Sequence, residues 1–230
     1  MIRENLRDIH AEIEAAAKAA HRDPSEIKLI AVSKTKPMDL IRECAEAGQL
    51  DFGENRVQEL AEKQATLSAE LPDIRWHMIG SLQRNKVRQI AEFVHLIHSV
   101  DSERLLAEIE KQAAKYERNI QVLLQLNISD ESQKGGFQED ECEALLKRME
   151  EFPHVQVRGL MGMAAFTADM DVVQGQFRRL KAASERFKAV EGPQVEMAEL
   201  SMGMSGDFPE AIAEGATMIR VGSRIFGSRY

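Results

Sequence analysis

The sequence predicts a (β/α)8 barrel, a closed ring of eight parallel strands surrounded by helices. Short apolar, β-branched runs alternate with longer segments of helical periodicity, which is typical of a parallel sheet with crossover helices. Eight such runs fit within 230 residues, a length at which α/β barrels form one domain, here expected to span residues 1–230. A helical segment precedes the first run, so an extra N-terminal helix is also expected.

The predicted strands and helices alternate along the whole chain. In the helical segments apolar residues recur every three or four positions, whereas the strands are short continuous apolar runs. Strands are expected at 27–33, 51–53, 76–80, 96–100, 121–127, 157–163, 197–202 and 218–221. Helices are expected at 37–47, 55–69, 83–91, 102–116, 138–151, 171–187 and 208–214, after an opening helix at 2–20.

Residues that start or end helices support these boundaries. Pro37 stands where a helix can begin, because its missing N–H has no intrahelical partner there. Gly48 occupies the position of a terminating glycine. No helix is predicted after the eighth strand, and the opening helix is expected to fill that gap in the outer ring. Periodicity by itself also allows an open, doubly wound sheet.

Composition excludes several classes of function. The formal net charge is -8, so no global basic field favours nucleic acid or an anionic membrane as a partner. Cys44 and Cys142 lie far apart in helix-like segments, which favours reduced thiols over a disulfide or a zinc site. The N-terminus lacks the apolar core of a signal peptide, and no apolar run approaches the ~18 residues of a membrane span. We therefore expect a cytoplasmic protein without a metal.

Function in such a barrel lies at the carboxyl ends of the strands. Two turns there are rich in small residues, at 205–207 after the seventh strand and at 222–223 after the eighth. Their backbone N–H groups can approach an anion closely, and a following helix N-terminus adds partial positive charge. The turns are therefore candidates for phosphate binding. Two ordinary turns, with glycine chosen for a positive φ, are the alternative.

Lys34 follows the apolar run 29–32 and should stand at the rim of the barrel. A lysine that points into the mouth loses hydration and becomes a better nucleophile, able to form a Schiff base with an aldehyde cofactor. A solvated rim lysine is the alternative. Lys36 competes for the role, because residues two apart share one face of a strand. Since Pro37 bends the path just beyond, we expect Lys36 to face solvent.

Arg220 and His77 lie within predicted strands and are further candidates. An arginine that points into a barrel needs a partner, and a pyridine nitrogen would suit it. Because arginine keeps its proton, that nitrogen would stay unprotonated and the ring would be a weak electron sink. The alternative partner is a strand-end carboxylate such as Glu54. His77 could stack near a cofactor ring, although a hydrogen-bonded core histidine fits the pattern equally well.

Arg84, Lys86 and Arg88 form a basic set within one predicted helix. The simplest interpretation is a solvated helix face. The alternative is a contact surface for a partner protein.

Five segments, taken together, resemble the pyridoxal phosphate homeostasis protein family. They occur in the family's order and span almost the whole chain, which makes the resemblance specific. Many members have proline where this chain has Ser81, a difference that affects a loop. The segments are AVSKTKP at 31–37, FGENRVQE at 52–59, WHMIGSLQRNK at 76–86, LSMGMSGD at 200–207 and RVGSRIFG at 220–227.

The resemblance implies a barrel similar to the N-terminal domain of alanine racemases, with pyridoxal 5'-phosphate (PLP) bound to Lys34 as an internal aldimine. In that arrangement Arg220 meets the pyridine nitrogen, the two small-residue turns hold the phosphate, and Asn55 and His77 lie beside the ring. The residues expected to contact the cofactor are Lys34, Asn55, His77, Ser205, Arg220, Gly222 and Ser223.

The chain lacks an obvious second catalytic base. A two-base racemase needs a lysine on one face of the substrate and a second acid–base group on the other, which in alanine racemases is a tyrosine of the partner subunit. The tyrosines here are Tyr116 and Tyr230, and neither falls in a motif positioned over the cofactor. General acid–base catalysis loses roughly 10²–10⁴-fold without such a group.

The resemblance and the missing base together predict a non-catalytic PLP-binding protein of vitamin B6 homeostasis. The lack of a second, racemase-type domain favours a monomer. The protein would store or buffer PLP, or hand it to the apo forms of PLP-dependent enzymes. Two alternatives are a weak or narrow amino-acid racemase, and a regulator that binds a partner through the basic set at 84–88.

Overall fold

The computed structural model describes residues 1–129, 131 and 135–227. Eight parallel strands form a closed barrel in chain order, and the eighth strand pairs with the first. The predicted (β/α)8 barrel is confirmed, and the open doubly wound sheet is excluded.

Strands and helices alternate as the sequence pattern predicts. The strands are β1 (Lys28–Val32), β2 (Asp51–Glu54), β3 (Arg75–Met78), β4 (Leu96–Val100), β5 (Ile120–Gln125), β6 (Val155–Met161), β7 (Val195–Met204) and β8 (Met218–Val221). The α-helices are α1 (Ile2–Ala19), α2 (Met38–Glu46), α3 (Val57–Leu67), α4 (Glu103–Lys115), α5 (Glu139–Leu146), α6 (Met170–Phe187), α7 (Phe208–Ala213) and α8 (Ser223–Phe226). Short 3-10 helices occupy Pro24–Glu26, Arg84–Gln89, Met149–Glu151 and Lys188–Val190.

Three of the helix predictions were wrong in detail. The segment 83–91 forms the 3-10 helix Arg84–Gln89, in which Val87 is the buried residue, so the apolar face of an α-helix is missing. The predicted helix 138–151 ends at Leu146, and the 3-10 helix Met149–Glu151 follows it. A short helix, α8, follows β8 because the carbonyl of Gly222 accepts hydrogen bonds from two successive backbone amides of the next turn.

Helix α1 closes the outer ring of helices, as predicted. It packs against α2, α7 and α8, between the last and the first strand–helix units. The side-chain amide of Asn5 donates to the carbonyl of Ile225 at 2.8 Å, and Glu12 pairs with Arg224. The apolar stripe that α1 buries has helical spacing: Ile2, Leu6, Ile9, Ile13 and Ala17.

The barrel contains two apolar layers. The larger layer lies between the sheet and the helices and includes the fully buried rings of Phe52, Phe177 and Phe208. The smaller layer fills the barrel interior, beside the buried polar side chains of the inner wall. Its members are Ile30, Leu96, Leu123, Met161 and Met218. Within the described ranges, none of the helices has the length and apolarity needed to cross a bilayer.

An ion pair stands at the amino-terminal end of the barrel. Asp51, the first residue of β2, accepts hydrogen bonds from Nε and Nη2 of Arg75 at 2.8 and 2.6 Å. Its Oδ1 also lies 2.9 Å from Nε2 of His77. Burial opposes ionisation of this carboxyl, but the hydrogen bonds from Arg75 and His77 outweigh that effect and hold its pKa well below the usual range.

The replacement Asp51→Asn is expected to lower the free energy of unfolding by about 2 kcal/mol at neutral pH, because a charge-assisted pair is lost. The folded pKa of Asp51 lies below the unfolded value of about 3.9. Its stabilising contribution is therefore fully present above about pH 4 and is lost as the pH falls towards the folded pKa. Urea unfolding from neutral to acid pH should show a smaller acid-induced loss in the variant. Equal losses in both proteins would contradict this assignment.

Candidate functional site

A cavity of about 720 Å³ opens at the carboxyl ends of the strands. This is the end at which barrels of this kind carry their functional groups. The residues that line it follow strands on several sides of the barrel, so the cavity is the mouth of the barrel itself. Six of the seven predicted site residues line it: Lys34, Asn55, Ser205, Arg220, Gly222 and Ser223.

A bulge in β7 shapes one wall of the cavity. Ser201 pairs with Met218, but Met204 pairs with Arg220, so β7 spans one residue more than β8 between these points. At the bulge Gly203 adopts a φ of +90°, and a Cβ atom there would lie 2.5 Å from Cβ of Ala211. Only glycine fits this position. The bulge ends β7 directly before the first small-residue turn.

The two small-residue turns lie side by side at one edge of the cavity. The backbone N–H of Gly222 donates to Oγ of Ser205 at 3.4 Å, and the hydroxyls of Ser205 and Ser223 are also 3.4 Å apart. A Cβ atom on Gly222 would lie 3.0 Å from the carbonyl oxygen of Val32, so this turn approaches β1 closely. The arrangement brings hydroxyl and backbone N–H donors to one small region.

Lys34 and Lys36 both line the cavity and are half-buried. Between them Thr35 adopts the left-handed conformation, with a φ of 63°, so the chain turns here instead of continuing as a strand. Nζ of Lys36 donates to the carbonyls of Phe226 and Gly227 at 3.2 and 3.0 Å. The prediction that Lys36 faces solvent was wrong, because the turn at Thr35 directs its side chain towards the C-terminal segment.

A buried lysine holds the loop that carries the two cavity lysines. Nζ of Lys63, on α3, donates to the carbonyl of Ser33 at 2.8 Å, to Oε1 of Glu54 at 2.7 Å and to Oε1 of Glu59 at 2.8 Å. Glu59 also accepts a hydrogen bond from the backbone N–H of Thr35. Burial raises the pKa of Glu54, and the charge of Lys63 opposes that shift. The residues on both sides of Lys34 are therefore fixed to α3.

Arg220 lies on the inner wall of β8 and reaches the cavity although it is only 5% exposed. Its Nη1 donates to Oγ of Ser201 at 2.5 Å, and its Nη2 donates to the carbonyl of Gly162 at 3.3 Å. Burial lowers the pKa of Arg220 to about 10, against the charge of Asp207, so the guanidinium is a cation at neutral pH. Glu54, the alternative partner considered for it, is paired with Lys63.

Asn55 presents an unsatisfied polar atom in the cavity wall. Its Oδ1 is buried and has no hydrogen-bond partner in the described part of the chain. The end of β3 approaches the Asn55 backbone so closely that a Cβ atom on Gly80 would lie 2.4 Å from the Asn55 carbonyl oxygen. Buried polar groups are nearly always hydrogen-bonded in native proteins. The orphaned atom therefore fits a site that receives a polar ligand.

His77 does not line the cavity. Its ring is completely buried in the barrel, with Nε2 bonded to Asp51 and Nδ1 lying 3.0 Å from Nε2 of His98. The expectation that His77 lies beside a cofactor ring is thus not met. The structure agrees with the alternative, a hydrogen-bonded core histidine, because both ring nitrogens are already engaged.

The sequence reasoning missed two polar side chains of the cavity lining, Asp101 and Gln125. Asp101 directly follows β4 and Gln125 ends β5, so the strand-end rule would have found both. In the network around Lys63, the pair with Glu59 has the i,i+4 spacing of a helix, but Ser33 and Glu54 belong to other elements and have no local signal.

The described lining residues include no tyrosine, histidine or cysteine. Tyr116 caps the carboxyl end of α4, just before the amino end of β5 and therefore away from the carboxyl ends that form the cavity. Tyr230 lies outside the described residues. In the basic set, Arg84 and Arg88 are exposed and Lys86 is half-buried, which agrees with a solvated surface.

Comparison with known proteins places the chain among close relatives. The family model for the N-terminal domain of alanine racemase matches residues 5–230. The chain is 40% identical over 228 residues to a protein of Haemophilus influenzae named pyridoxal phosphate homeostasis protein, with 99% of this chain and 96% of that protein covered.

Solved structures give the same relationship. PipY of Synechococcus elongatus, in a structure with PLP bound, superposes with a TM-score of 0.86 at 38% identity, covering 99% of this chain and all of PipY (100%). Alanine racemase from Streptomyces lavendulae shares the fold, with a TM-score of 0.71 at 19% identity, and the match covers 99% of this chain and 57% of that enzyme. From its full-length similarity to these relatives, the chain belongs to the pyridoxal phosphate homeostasis protein family.

Proposed function

We propose that this protein binds PLP at the carboxyl end of its barrel, holds it covalently through Lys34, and serves PLP homeostasis by storing the cofactor or handing it on. The supporting observation is the cavity in which Lys34, Arg220 and the turns at Ser205 and Ser223 meet. The PLP-bound structure of PipY and the name of the Haemophilus influenzae relative support the same conclusion.

The cavity has a suitable group for each part of the cofactor. The hydroxyl and backbone N–H donors of the turns at 205–206 and 222–223 suit a phosphate. The guanidinium of Arg220 donates, and the pyridine nitrogen accepts. The orphaned amide oxygen of Asn55 suits the ring hydroxyl. The volume of about 720 Å³ lies within the usual range of small-molecule sites.

When bound, the cofactor supplies an aldehyde that condenses with a primary amine and releases one water. Lys34 provides that amine from a loop held on both sides by the contacts of Lys63 and Glu59. Arg220 stays protonated and leaves the ring nitrogen without a proton, so the ring withdraws electrons weakly. This arrangement favours holding the cofactor over using it for carbanion chemistry.

Peptide mapping tests the attachment. Apoprotein would be loaded with PLP, reduced with borohydride, digested and analysed by mass spectrometry. The pyridoxyl group should be found on the peptide that contains Lys34. Modification scattered over surface lysines, with Lys34 unmodified, would contradict the proposal.

We also propose that the protein does not turn over amino acids, because no tyrosine or histidine is among the described lining residues. One observation favours the alternative, a weak racemase: Asp101 places a carboxylate in the cavity. Incubation of holoprotein with single amino-acid enantiomers separates the two. Sustained racemisation that is lost in both Lys34→Ala and Asp101→Asn would establish the enzyme.

A transfer assay tests the homeostatic role. Holoprotein would be mixed with a defined apo aminotransferase while released PLP is removed by a chemical trap. Reactivation of the aminotransferase faster than release into the trap would support direct handover. Reactivation at the rate of release would limit the role to storage and buffering.

The replacements Ser205→Ala and Ser223→Ala are each expected to weaken PLP binding by only about 3–10-fold, the effect of one hydrogen bond. Backbone N–H groups of the same turns remain in both variants. Equilibrium titration of apoprotein with PLP, followed by absorbance, measures the change. A loss of PLP affinity as large as that caused by removing Lys34 would be inconsistent with phosphate binding that is shared between the hydroxyls and the backbone N–H groups.

A further inference from the structure

A continuous chain of hydrogen bonds crosses the interior of the barrel beneath the cavity. It begins at Arg220, whose Nη1 lies 2.5 Å from Oγ of Ser201. Oγ of Ser201 lies 2.8 Å from Nδ1 of His98, and Nε2 of His98 lies 3.0 Å from Nδ1 of His77. Nε2 of His77 then lies 2.9 Å from Oδ1 of Asp51. Five strands contribute one residue each.

Every link has a buried donor and acceptor. His77, His98 and Ser201 are 0% exposed, and Arg220 and Asp51 are each 5% exposed. Water therefore does not compete for these groups. Each unpaired polar atom in this buried hydrogen-bond chain would lower the stability of the fold by about 1–3 kcal/mol. The arrangement in which every group has a partner is therefore strongly favoured.

The two ends fix the direction of donation. Arg220 can only donate, so Oγ of Ser201 accepts from it and keeps its own hydrogen available for Nδ1 of His98. Asp51 is an ionised carboxylate and can only accept, so Nε2 of His77 carries a hydrogen. In a neutral ring Nδ1 of His77 is then an acceptor, which requires a hydrogen on Nε2 of His98.

With both imidazoles neutral, each carries its hydrogen on Nε2. Burial lowers the pKa of both His77 and His98, which agrees with neutral rings. The opposite direction would leave a lone pair on His77 facing the Asp51 carboxylate. For two neutral rings, a single proton arrangement satisfies all five groups.

A metal ion does not explain this cluster. Donor atoms of Asp51, His77 and His95 lie within 4.8 Å of one another, as a metal site requires. However, both oxygens of Asp51 accept hydrogen bonds from Arg75, and both nitrogens of His77 are engaged. A cation would have to displace these bonds beside the Arg75 guanidinium.

We propose that Ser201, His98 and His77 are positioning residues, which hold the Arg220 guanidinium in one orientation at the floor of the cavity and are anchored at the far end by Asp51. Ser201 cannot rotate away from Arg220 without breaking its bond to His98. His98 is fixed in turn by His77. The orientation of the group that meets the ring nitrogen is thus set by the whole inner wall of the barrel.

The tautomers test the chain without any cofactor. Nitrogen-15 NMR of apoprotein with labelled histidine reports which ring nitrogen carries the hydrogen, and exposed His10 serves as the reference for a solvated ring. Both His77 and His98 should be the Nε2–H form. A hydrogen on Nδ1 of His98 would overturn the proposal.

The second test uses Ser201→Ala, with Ser184→Ala as the matched control, a buried serine on α6 outside the chain. PLP affinity should fall roughly 10-fold in Ser201→Ala, the effect of one charge-assisted hydrogen bond, and should not change in the control. The nitrogen-15 shift of the bound pyridine nitrogen should also move only in Ser201→Ala. An unchanged shift and affinity would overturn the positioning role.

The role of this hydrogen-bond chain in PLP binding rests on the proposed function, but the hydrogen-bond chain and the proposed function can fail separately. If PLP does not attach to Lys34 yet both histidines are Nε2–H, the proposed function is wrong and the hydrogen-bond chain is supported. If PLP attaches to Lys34 and His98 carries its hydrogen on Nδ1, the hydrogen-bond chain is wrong and the proposed function is supported.

Discussion

Lys34→Ala is expected to abolish covalent retention of PLP. Lys34 lines the cavity on a loop that the contacts of Lys63 and Glu59 fix from both sides, so no neighbouring amine can take its exact place. PLP should still bind weakly through its phosphate and Arg220. The measurement is the absorbance band of the protein-bound cofactor, recorded before and after desalting. In the variant the band should disappear on desalting.

Lys36→Ala is the matched control, because Lys36 is a second lysine of the same loop and the same cavity. Its side chain is engaged by the carbonyls of Phe226 and Gly227, so its removal should loosen the C-terminal segment and leave the band intact. Loss of the band in Lys36→Ala with retention in Lys34→Ala would mean that the two roles are exchanged.

Lys63→Met is expected to lower the free energy of unfolding by about 3–5 kcal/mol, the usual effect of removing one partner from a buried pair. Side chains of Lys63 and Glu54 are only 5% and 0% exposed, so the variant leaves Glu54 without a countercharge in a dry site. The already raised pKa of Glu54 should rise further. Its protonation at acid pH relieves the penalty, so the deficit should narrow as the pH falls.

Chemical denaturation at several pH values measures this effect. The double variant Glu54→Gln/Lys63→Met should recover part of the loss, since no buried charge then stays unpaired. Lys147→Met is the surface control, because Lys147 pairs with Glu143 at a site where the lysine is 57% exposed; its cost should be below about 1 kcal/mol. Equal costs for Lys63→Met and Lys147→Met would show that the buried pair contributes no special stability.

The parts of the fold that depend on local pattern were predictable from the sequence. Apolar runs, helical periodicity and punctuating residues such as Pro37 located the strand–helix units, and the strand-end rule located Lys34 and the turns at Ser205 and Ser223. Closure of the barrel followed from counting those units. These inferences need only neighbours in sequence.

The errors occurred where a distant residue determines the local structure. Thr35 adopts a left-handed conformation that its sequence neighbours do not require, with its amide held by Glu59 of α3, and this turn redirected Lys36. His77 was a candidate for contact with a cofactor ring because its actual partners, Asp51 and His98, lie on other strands. Polar residues on the inner wall of a barrel cannot be assigned from one strand alone.

The packing of α1 against α7 and α8 has a consequence for how the protein folds during synthesis. β1 pairs with β8, and α1 packs on the helices that flank β8, so segments near the start of this sequence find their partners near its end. Such non-local contacts make folding slow. While the ribosome is still producing the second half of the chain, the apolar stripe of α1 and the edge of β1 lack their native cover. Until those partners are made, we expect the exposed apolar surface to make the nascent chain prone to aggregation.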